Sequence, residues 1–306
     1  VKRYDIGKSC VRFKKKTKIF ETQRTPQEFF MKKLFSLVQI TDFHVGRKIL
    51  FPSGERDLYD ELVLSVKRIA SLDPLPDLVV ITGDLAHHGR EEDYRRVKEV
   101  LDGLPVPYYI VVGNHDSRAG LRSVFSSHSY LRTGEDFIQY TLENYPVRII
   151  ALDTLAVGSH RGLIDAKRLA WLDRELSAQP ERPTIIFLHH PPFETGMPYP
   201  DSLGLDGKEE LGRIIARHPN VEAVASGHTH RDSVVRWHGT VAYVTPSSSF
   251  SYKLEFHDVD DLDPLYTPPS FRVFRWDPEV GLVSHLCYSH EYEFGLSEGV
   301  PGTPDN

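Results

Sequence analysis

Five short segments of this 306-residue chain are dense in Asp, His and Asn, and each stands just past a short apolar run. They are Asp42-Phe43-His44, Gly83-Asp84, Gly113-Asn114-His115-Asp116, His189-His190 and Gly227-His228-Thr229-His230. Carboxylate, imidazole and amide donors without a thiolate describe a borderline-hard cation site, suited to Fe, Mn, Zn or Co rather than to a structural zinc knot. The weight of imidazole argues against calcium. If two divalent ions sit there, Asp42, Asp84 and a bridging hydroxide neutralise three of the four charges, and the neutral histidines and Asn114 neutralise none. Such a pocket stays net positive and attracts an anionic substrate.

Residues so far apart in sequence can share one site only if the fold gathers them. The preceding runs, 34–40, 78–82, 108–112, 184–188 and 221–225, are short and rich in Val, Ile and aromatics, which reads as buried strands. In an open α/β sheet, ligands collect at the carboxyl ends of the strands. Gly83, Gly113 and Gly227 then supply turns that aim a donor inward. Helices are expected over 55–71, with Leu58, Leu62, Val66 and Ile69 on one face, over 165–177 with Leu169, Leu172 and Leu176, and over 207–218 with Leu211, Ile214 and Ile215. Further strands are expected at 136–143 and 147–154, and hairpins at 233–245 and 271–288.

The ordered set D-x-H, G-D, G-N-H-D, H-H-P-P and G-H-T-H resembles the calcineurin-like metallophosphoesterases, and most of all their class III cyclic nucleotide phosphodiesterase branch, over residues 34–250. The stretches 162–172 and 245–248 also resemble that branch. The resemblance implies an α/β fold, a four-layer αββα sandwich of two stacked mixed β-sheets flanked by helices. It implies a first metal held by Asp42, His44, Asp84 and His230, and a second held by Asp84, Asn114, His189 and His228, so that Asp84 bridges. The cofactors are then two metal ions, Fe and/or Mn, with Zn or Co as alternatives. Such a pair lowers the pKa of a water and polarises a phosphoryl group for in-line attack, with no protein nucleophile. His115 is placed to contact the phosphate or protonate the leaving oxygen, with Asp116 fixing its tautomer. The implied substrate is a small phosphodiester, 3′,5′-cyclic AMP first, with 2′,3′-cyclic nucleotides or glycerophosphodiesters as alternatives.

Other residues have plainer readings beside the functional ones. His190 is a substitute ligand, a pocket residue or simple packing beside Pro191 and Pro192, with the ligand role given to His189. His87 and His88 depart from the acidic or small polar residue usual in the family, and read as solvated loop histidines before a helix or as substrate contacts. His160 reads as a surface histidine or part of a loop near the site. The acidic stretch 254–263 is a solvated loop, a rim of the pocket or a dimer contact.

Length and a 40% hydrophobic content fit one sizeable domain over 31–306, ending in hairpins from about 233. Residues 1–30 carry nine Lys or Arg against three acids, which leaves 31–306 at a net −12. This basic segment reads as an extension ahead of a natural start at Met31, as a basic arm for a partner, or as a transit-like sequence. Two cysteines, Cys10 and Cys287, make no disulfide framework, so the cytoplasm is the expected compartment. No run approaches the ~20 apolar residues a membrane helix needs. A net-acidic catalytic region argues against nucleic acid as a partner, and a homodimer is left open. A protein phosphatase lacks support without long insertions, and a metal-free scaffold is disfavoured because every ligand position is filled.

Overall fold

The computed structural model describes residues 34–134 and 136–290. The basic segment 1–30, Met31 and Cys10 lie outside the described residues. In chain order the strands of the two principal sheets are β1 (Phe35–Ile40), β2 (Leu78–Ile81), β3 (Tyr108–Ile110), β4 (Tyr140–Leu142), β5 (Arg148–Ala151), β6 (Thr184–Phe187), β7 (Val221–Ser226), β8 (Ser233–Trp237), β9 (Thr240–Val244), β10 (Ser270–Asp277) and β11 (Gly281–Tyr288). The helices are α1 (Leu58–Ala70), α2 (Glu91–Leu101), α3 (Arg118–Val124), α4 (Ala166–Ala178), α5 (Pro198–Ser202) and α6 (Lys208–Ile215).

The first sheet has the order β11-β10-β1-β2-β3 and the second β8-β9-β7-β6-β5-β4. Strands β1, β2 and β3 are mutually parallel, as are β5, β6, β7 and β9, while β4, β8, β10 and β11 pair antiparallel. Every residue of β1, β2, β5 and β6 is buried, as parallel strands covered on both faces require. Alternation along the second sheet divides its side chains between two layers. Ile149, Ala151, Ile185, Phe187, Ala223 and Ala225 share a core with Leu37, Val38 and Phe274 of the first sheet, and the rings of Phe187 and Phe274 meet at 6.2 Å. Ile150, Ile186 and Val224 point the other way, onto Leu169, Leu172 and Leu176 of α4 and Leu211 and Ile214 of α6. Leu62, Val66 and Ile69 of α1 and Tyr94, Val97 and Leu101 of α2 pack into the first core. The result is the αββα layering, each fully buried aliphatic side chain contributing about 1.5–3 kcal/mol.

A buried amide ties the sheets together beneath their carboxyl ends. Gln39 Nε2 donates to Thr82 Oγ1 and to Ser226 O, both at 2.9 Å, and Gln39 Oε1 accepts from Thr245 Oγ1 at 2.6 Å.

Several boundaries differ from expectation for local reasons. The first helix begins at Leu58 instead of 55, because Gly54–Asp57 pairs as a hairpin with Lys48–Phe51, and Asp57 then caps the helix by accepting from Tyr59 N at 3.1 Å. The expected strands 136–143 and 147–154 contract to β4 and β5. Asp153 leaves the ladder to receive the Arg118 guanidinium at 2.6 and 2.7 Å, and Ile138 N donates to the same carboxylate at 2.8 Å. Helix α3, absent from the expectations, is capped by Ser117, whose hydroxyl accepts from Gly120 N at 3.2 Å. The expected helix 207–218 stops at Ile215.

Candidate metal centre

The parallel strands β1, β2 and β3 deliver their carboxyl ends side by side, and β6 and β7 do the same in the second sheet. Beyond β1 and β2 the chains keep pairing while they twist: Asp42 N donates to Gly83 O at 3.0 Å and His44 N to Asp84 O at 2.9 Å. Five of the seven expected ligands stand in the left-handed region, Asp42 at φ 57°, His44 at 48°, Asp84 at 53°, His228 at 71° and His230 at 58°. Asp and His tolerate this region better than bulkier side chains, yet each such residue costs on the order of 1 kcal/mol and persists where the surroundings over-determine it.

Only one of the three glycines acts through the turn. Gly83 has φ 98°, whereas Gly113 and Gly227 do not enter the positive-φ region. Their requirement is space: a Cβ on Gly113 would stand 2.2 Å from Asp84 Oδ1, and one on Gly227 2.2 Å from Thr41 Oγ1 and 2.6 Å from Asp42 Oδ2.

The donors converge as two sets that share Asp84. In one, His44 Nε2 is 3.1 Å from His230 Nε2, 3.6 Å from Asp84 Oδ2 and 4.0 Å from Asp42 Oδ1, and His230 Nε2 is 3.5 Å from Asp42 Oδ1. In the other, Asn114 Oδ1 is 2.9 Å from His189 Nε2 and 3.0 Å from His228 Nδ1, and His189 Nε2 is 3.4 Å from Asp84 Oδ2. A cation about 2.1 Å from each donor separates neighbouring donors by about 3.0 Å in octahedral and about 3.4 Å in tetrahedral geometry. These spacings fit.

Proton accounting supports the same conclusion. His189 Nδ1 lies 2.7 Å from Thr82 O, His230 Nδ1 3.1 Å from Phe250 O and His228 Nε2 3.2 Å from Leu203 O. A carbonyl only accepts, so those nitrogens carry a proton; His228 and His230, neutral, turn lone pairs toward the centre, and His189 does so once its inward nitrogen is deprotonated. Buried Asp42 Oδ1 has no hydrogen-bond partner. With His189 deprotonated the set is a gathering of lone pairs that repel one another, and a cation among them removes the repulsion. The residues present fit a pair of divalent ions.

Charge in the centre follows from burial and contact. Burial pushes Asp42 up to about 7, with Asp84 adding to the rise and His189 opposing it. Burial opposes the charge of Asp84 too, yet His189 and His44 hold it well below the usual carboxylate range. Burial would neutralise His189, but Asp84 and then Asp42 bring it to about 9. Burial drives His44 well below its ordinary value and His228 and His230 down to about 3. In the protein without metal, a proton on His189 therefore stands where a cation would.

His115 reaches the centre, its ring 4.8 Å from that of His44, but Asp116 does not pair with it. His115 Nδ1 donates to His87 O at 2.8 Å, so the carbonyl of His87 fixes its tautomer and Nε2 is the nitrogen left for the cavity. The expected orienting role of Asp116 is not met. Its carboxylate accepts instead from Asp84 N and Gly113 N at 2.9 Å, Leu85 N at 3.1 Å and Tyr94 Oη at 3.1 Å. It clamps the second loop to the third, because buried amides need acceptors and its own turn faces them.

The remaining histidines divide as follows. His190 is buried with Nδ1 2.8 Å from Thr154 Oγ1 and Nε2 3.2 Å from His160 O, so both of its nitrogens are engaged. His87 is half-buried, stacked on His115 at 4.8 Å, with Nδ1 3.2 Å from His44 Nδ1. His88 is exposed. His160 is exposed yet reaches Asn114 Nδ2 at 3.0 Å. The engaged roles of His87 and His160 had no signal beyond their residue type, since each depends on a loop returning from another strand.

A cavity of ≈ 220 Å³ opens over the donors. Arg47, Tyr199, Leu203, Tyr252 and Leu262 line it together with His115 and His160, and Asp261 places the acidic stretch 254–263 at its rim.

Comparison with known proteins agrees with this geometry. A family model described as calcineurin-like phosphoesterase matches residues 35–232. A probable glycerophosphodiester phosphodiesterase of Arcobacter nitrofigilis is 31% identical over 258 residues, covering 84% of this chain and 94% of its own. A probable cyclic nucleotide phosphodiesterase of Rhodopseudomonas palustris is 31% identical over 272 residues, covering 86% and 96%. A dimetal phosphatase structure from Danio rerio shares the fold at a TM-score of 0.60 and 18% identity, over 84% of this chain and 99% of its own. The family match begins at the first residue of β1 and runs past His230, so it takes in every strand-end segment that meets at the centre: this chain belongs to the calcineurin-like phosphoesterase family.

Proposed function

We propose that the chain is a dinuclear metal-dependent phosphodiesterase of small phosphodiesters, with 3′,5′-cyclic AMP as the first substrate to consider. The observation that carries this is the pair of donor sets meeting at one carboxylate oxygen, Asp84 Oδ2, which stands 3.6 Å from His44 Nε2 and 3.4 Å from His189 Nε2 while Oδ1 accepts from His115 N at 2.8 Å. A carboxylate so placed would be shared by the two ions of a two-metal hydrolase. Asp42, His44, Asp84 and His230 hold one ion, and Asp84, Asn114, His189 and His228 the other. Bound there, the ions supply Lewis acidity and lower the pKa of water to give a nucleophile at neutral pH. Fe and Mn suit this oxygen and nitrogen donor set, as do Zn and Co.

The protein's own groups do the rest. The left-handed turns and the clamp of Asp116 hold the donors in register before substrate arrives, which is where preorganisation contributes most. His115, oriented by His87 O, turns Nε2 to the cavity to bond a phosphoryl oxygen or protonate the leaving oxygen. The net −12 of residues 31–306 favours a small anion drawn to a locally cationic centre over a polyanion laid across the surface. Among the described residues no helix is long and apolar enough to cross a membrane. We place the enzyme in the cytoplasm on its sparse cysteine usage.

A second reading, glycerophosphodiester hydrolysis, is favoured by the Arcobacter relative, whose printed name is that activity and whose identity equals that of the cyclic nucleotide relative. Rates of the Mn-loaded protein on 3′,5′-cyclic AMP, 2′,3′-cyclic AMP, a glycerophosphodiester and an aryl phosphodiester separate the readings. The highest kcat/KM is expected on 3′,5′-cyclic AMP. Preference for the glycerophosphodiester moves the assignment to the second reading, and hydrolysis of none of them overturns both.

A further inference from the structure

Asn114 can present either end of its amide to the centre, and the two ends have opposite consequences. With Oδ1 inward, as in the structure, the amide offers a lone pair beside His189 Nε2 and His228 Nδ1. Turned over, it would offer two N–H donors to those same ring nitrogens. That arrangement would satisfy both rings once His189 has lost its inward proton, and it would leave a cation no oxygen donor from Asn114. Oxygen and nitrogen ends are nearly equal in size, so their hydrogen-bond partners choose between them, and once His189 is deprotonated the choice falls to the partner on the outer side.

That partner is His160. Its Nδ1 lies 3.0 Å from Asn114 Nδ2, and an imidazole nitrogen facing an amide N–H accepts. We propose that His160 is a positioning residue for the second metal, holding the Asn114 amide with its oxygen inward by accepting from Nδ2. The inference rests on the two-ion reading of the centre.

The loop that carries His160 is built to hold it. His160 O accepts from buried His190 Nε2 at 3.2 Å, and Ser159 N donates to Ala156 O at 3.1 Å. Arg161 bonds the carboxylate of Asp206 and Ser202 O, and Gly162 N donates to Gly204 O at 3.1 Å. A Cβ on Gly162 would stand 2.4 Å from the His190 ring, so glycine there lets the loop lie directly on that histidine. His190, whose nitrogens are both engaged, thus serves as the post that fixes the His160 backbone. The His160 ring also lies 5.0 Å from that of His115, which limits how far it can swing from Asn114.

The test is Mn²⁺ titration of the chelator-stripped full chain, followed by calorimetry, for wild type, Asn114→Ala, His160→Ala and His160→Gln. His160 is exposed, so its replacement leaves the core untouched. Loss of an outer partner of a ligand typically weakens metal binding about 10–100-fold. In His160→Ala the second equivalent is expected to weaken by that factor with the first unchanged. His160→Gln, whose side-chain oxygen can accept from Nδ2, is expected to recover most of it. Unchanged affinities in His160→Ala, in a protein where Asn114→Ala loses the second equivalent, would overturn the inference alone. A wild type that takes up no second equivalent would overturn the two-ion reading beneath it.

Discussion

His189 shows how the centre trades a proton for a metal. Its Nε2 faces Asp84 Oδ2 at 3.4 Å and Asn114 Oδ1 at 2.9 Å, and the carboxylates hold its pKa at about 9 without metal. The folded-state value is raised, so the ring is charged below about pH 9 and must lose a proton before it can ligate. Affinity for the second ion is therefore expected to rise about tenfold per pH unit up to about pH 9 and then level, with one proton released per ion bound. Asp42, raised to about 7, adds a second displaced proton at the first ion below that pH. A log K against pH plot that is flat between pH 6 and 9 would contradict this. For His115, replacement by Ala is expected to leave two ions bound while cutting kcat roughly 10²–10⁴-fold, as loss of a proton-transfer group does. Loss of an ion instead would make His115 a ligand. The ligand types were legible in the sequence because this chemistry concentrates in a few side chains. The partner of His115 was not, because the choice between Asp116 and His87 O depends on which way each turn faces.

At the scale of elements, the centre depends on strands that lose their regular twist at their carboxyl ends while their backbones go on pairing. Sequence alone extends β2, β3 and β6 by one or two residues, to 82, 112 and 188, because the strand-type run continues through them, and Thr82 N, Val111 N and Leu188 N do still pair, with Ile40 O, Ile81 O and Ala225 O. The residues that follow stay paired but enter the left-handed region at Asp42, His44, Asp84, His228 and His230, which turns the donors inward. The glycines after β2, β3 and β7 were legible as important, but for the wrong reason at two of three places. A Gly227→Ala side chain would meet Thr41 Oγ1 at 2.2 Å and Asp42 Oδ2 at 2.6 Å. Overpacking of this kind costs about 1–3 kcal/mol, and here it falls on a ligand carboxylate. The expected outcome is a folded protein with a lowered Tm and weakened binding of the first ion; wild-type affinity and Tm would show that the loop relaxes freely. The 48–57 hairpin was hidden because 54–57 lacks strand-type apolar alternation and borders a strong helical pattern.

At the scale of the whole molecule, two sheets with parallel centres bring their carboxyl ends to one place, and Gln39 locks them together just below it. The convergence of the strand ends was readable from the order of the motifs, since strands that end in ligands must end together, whereas the division into two stacked sheets came from the family resemblance. The most direct test of two ions serving hydrolysis is the metal content and aryl phosphodiesterase rate of the protein as purified, after chelator treatment, and after reloading with Mn²⁺. Two ions per chain, loss of the rate on stripping and its return on reloading are expected. An undiminished rate in protein shown to be free of metal, or a single ion at full activity, would contradict it.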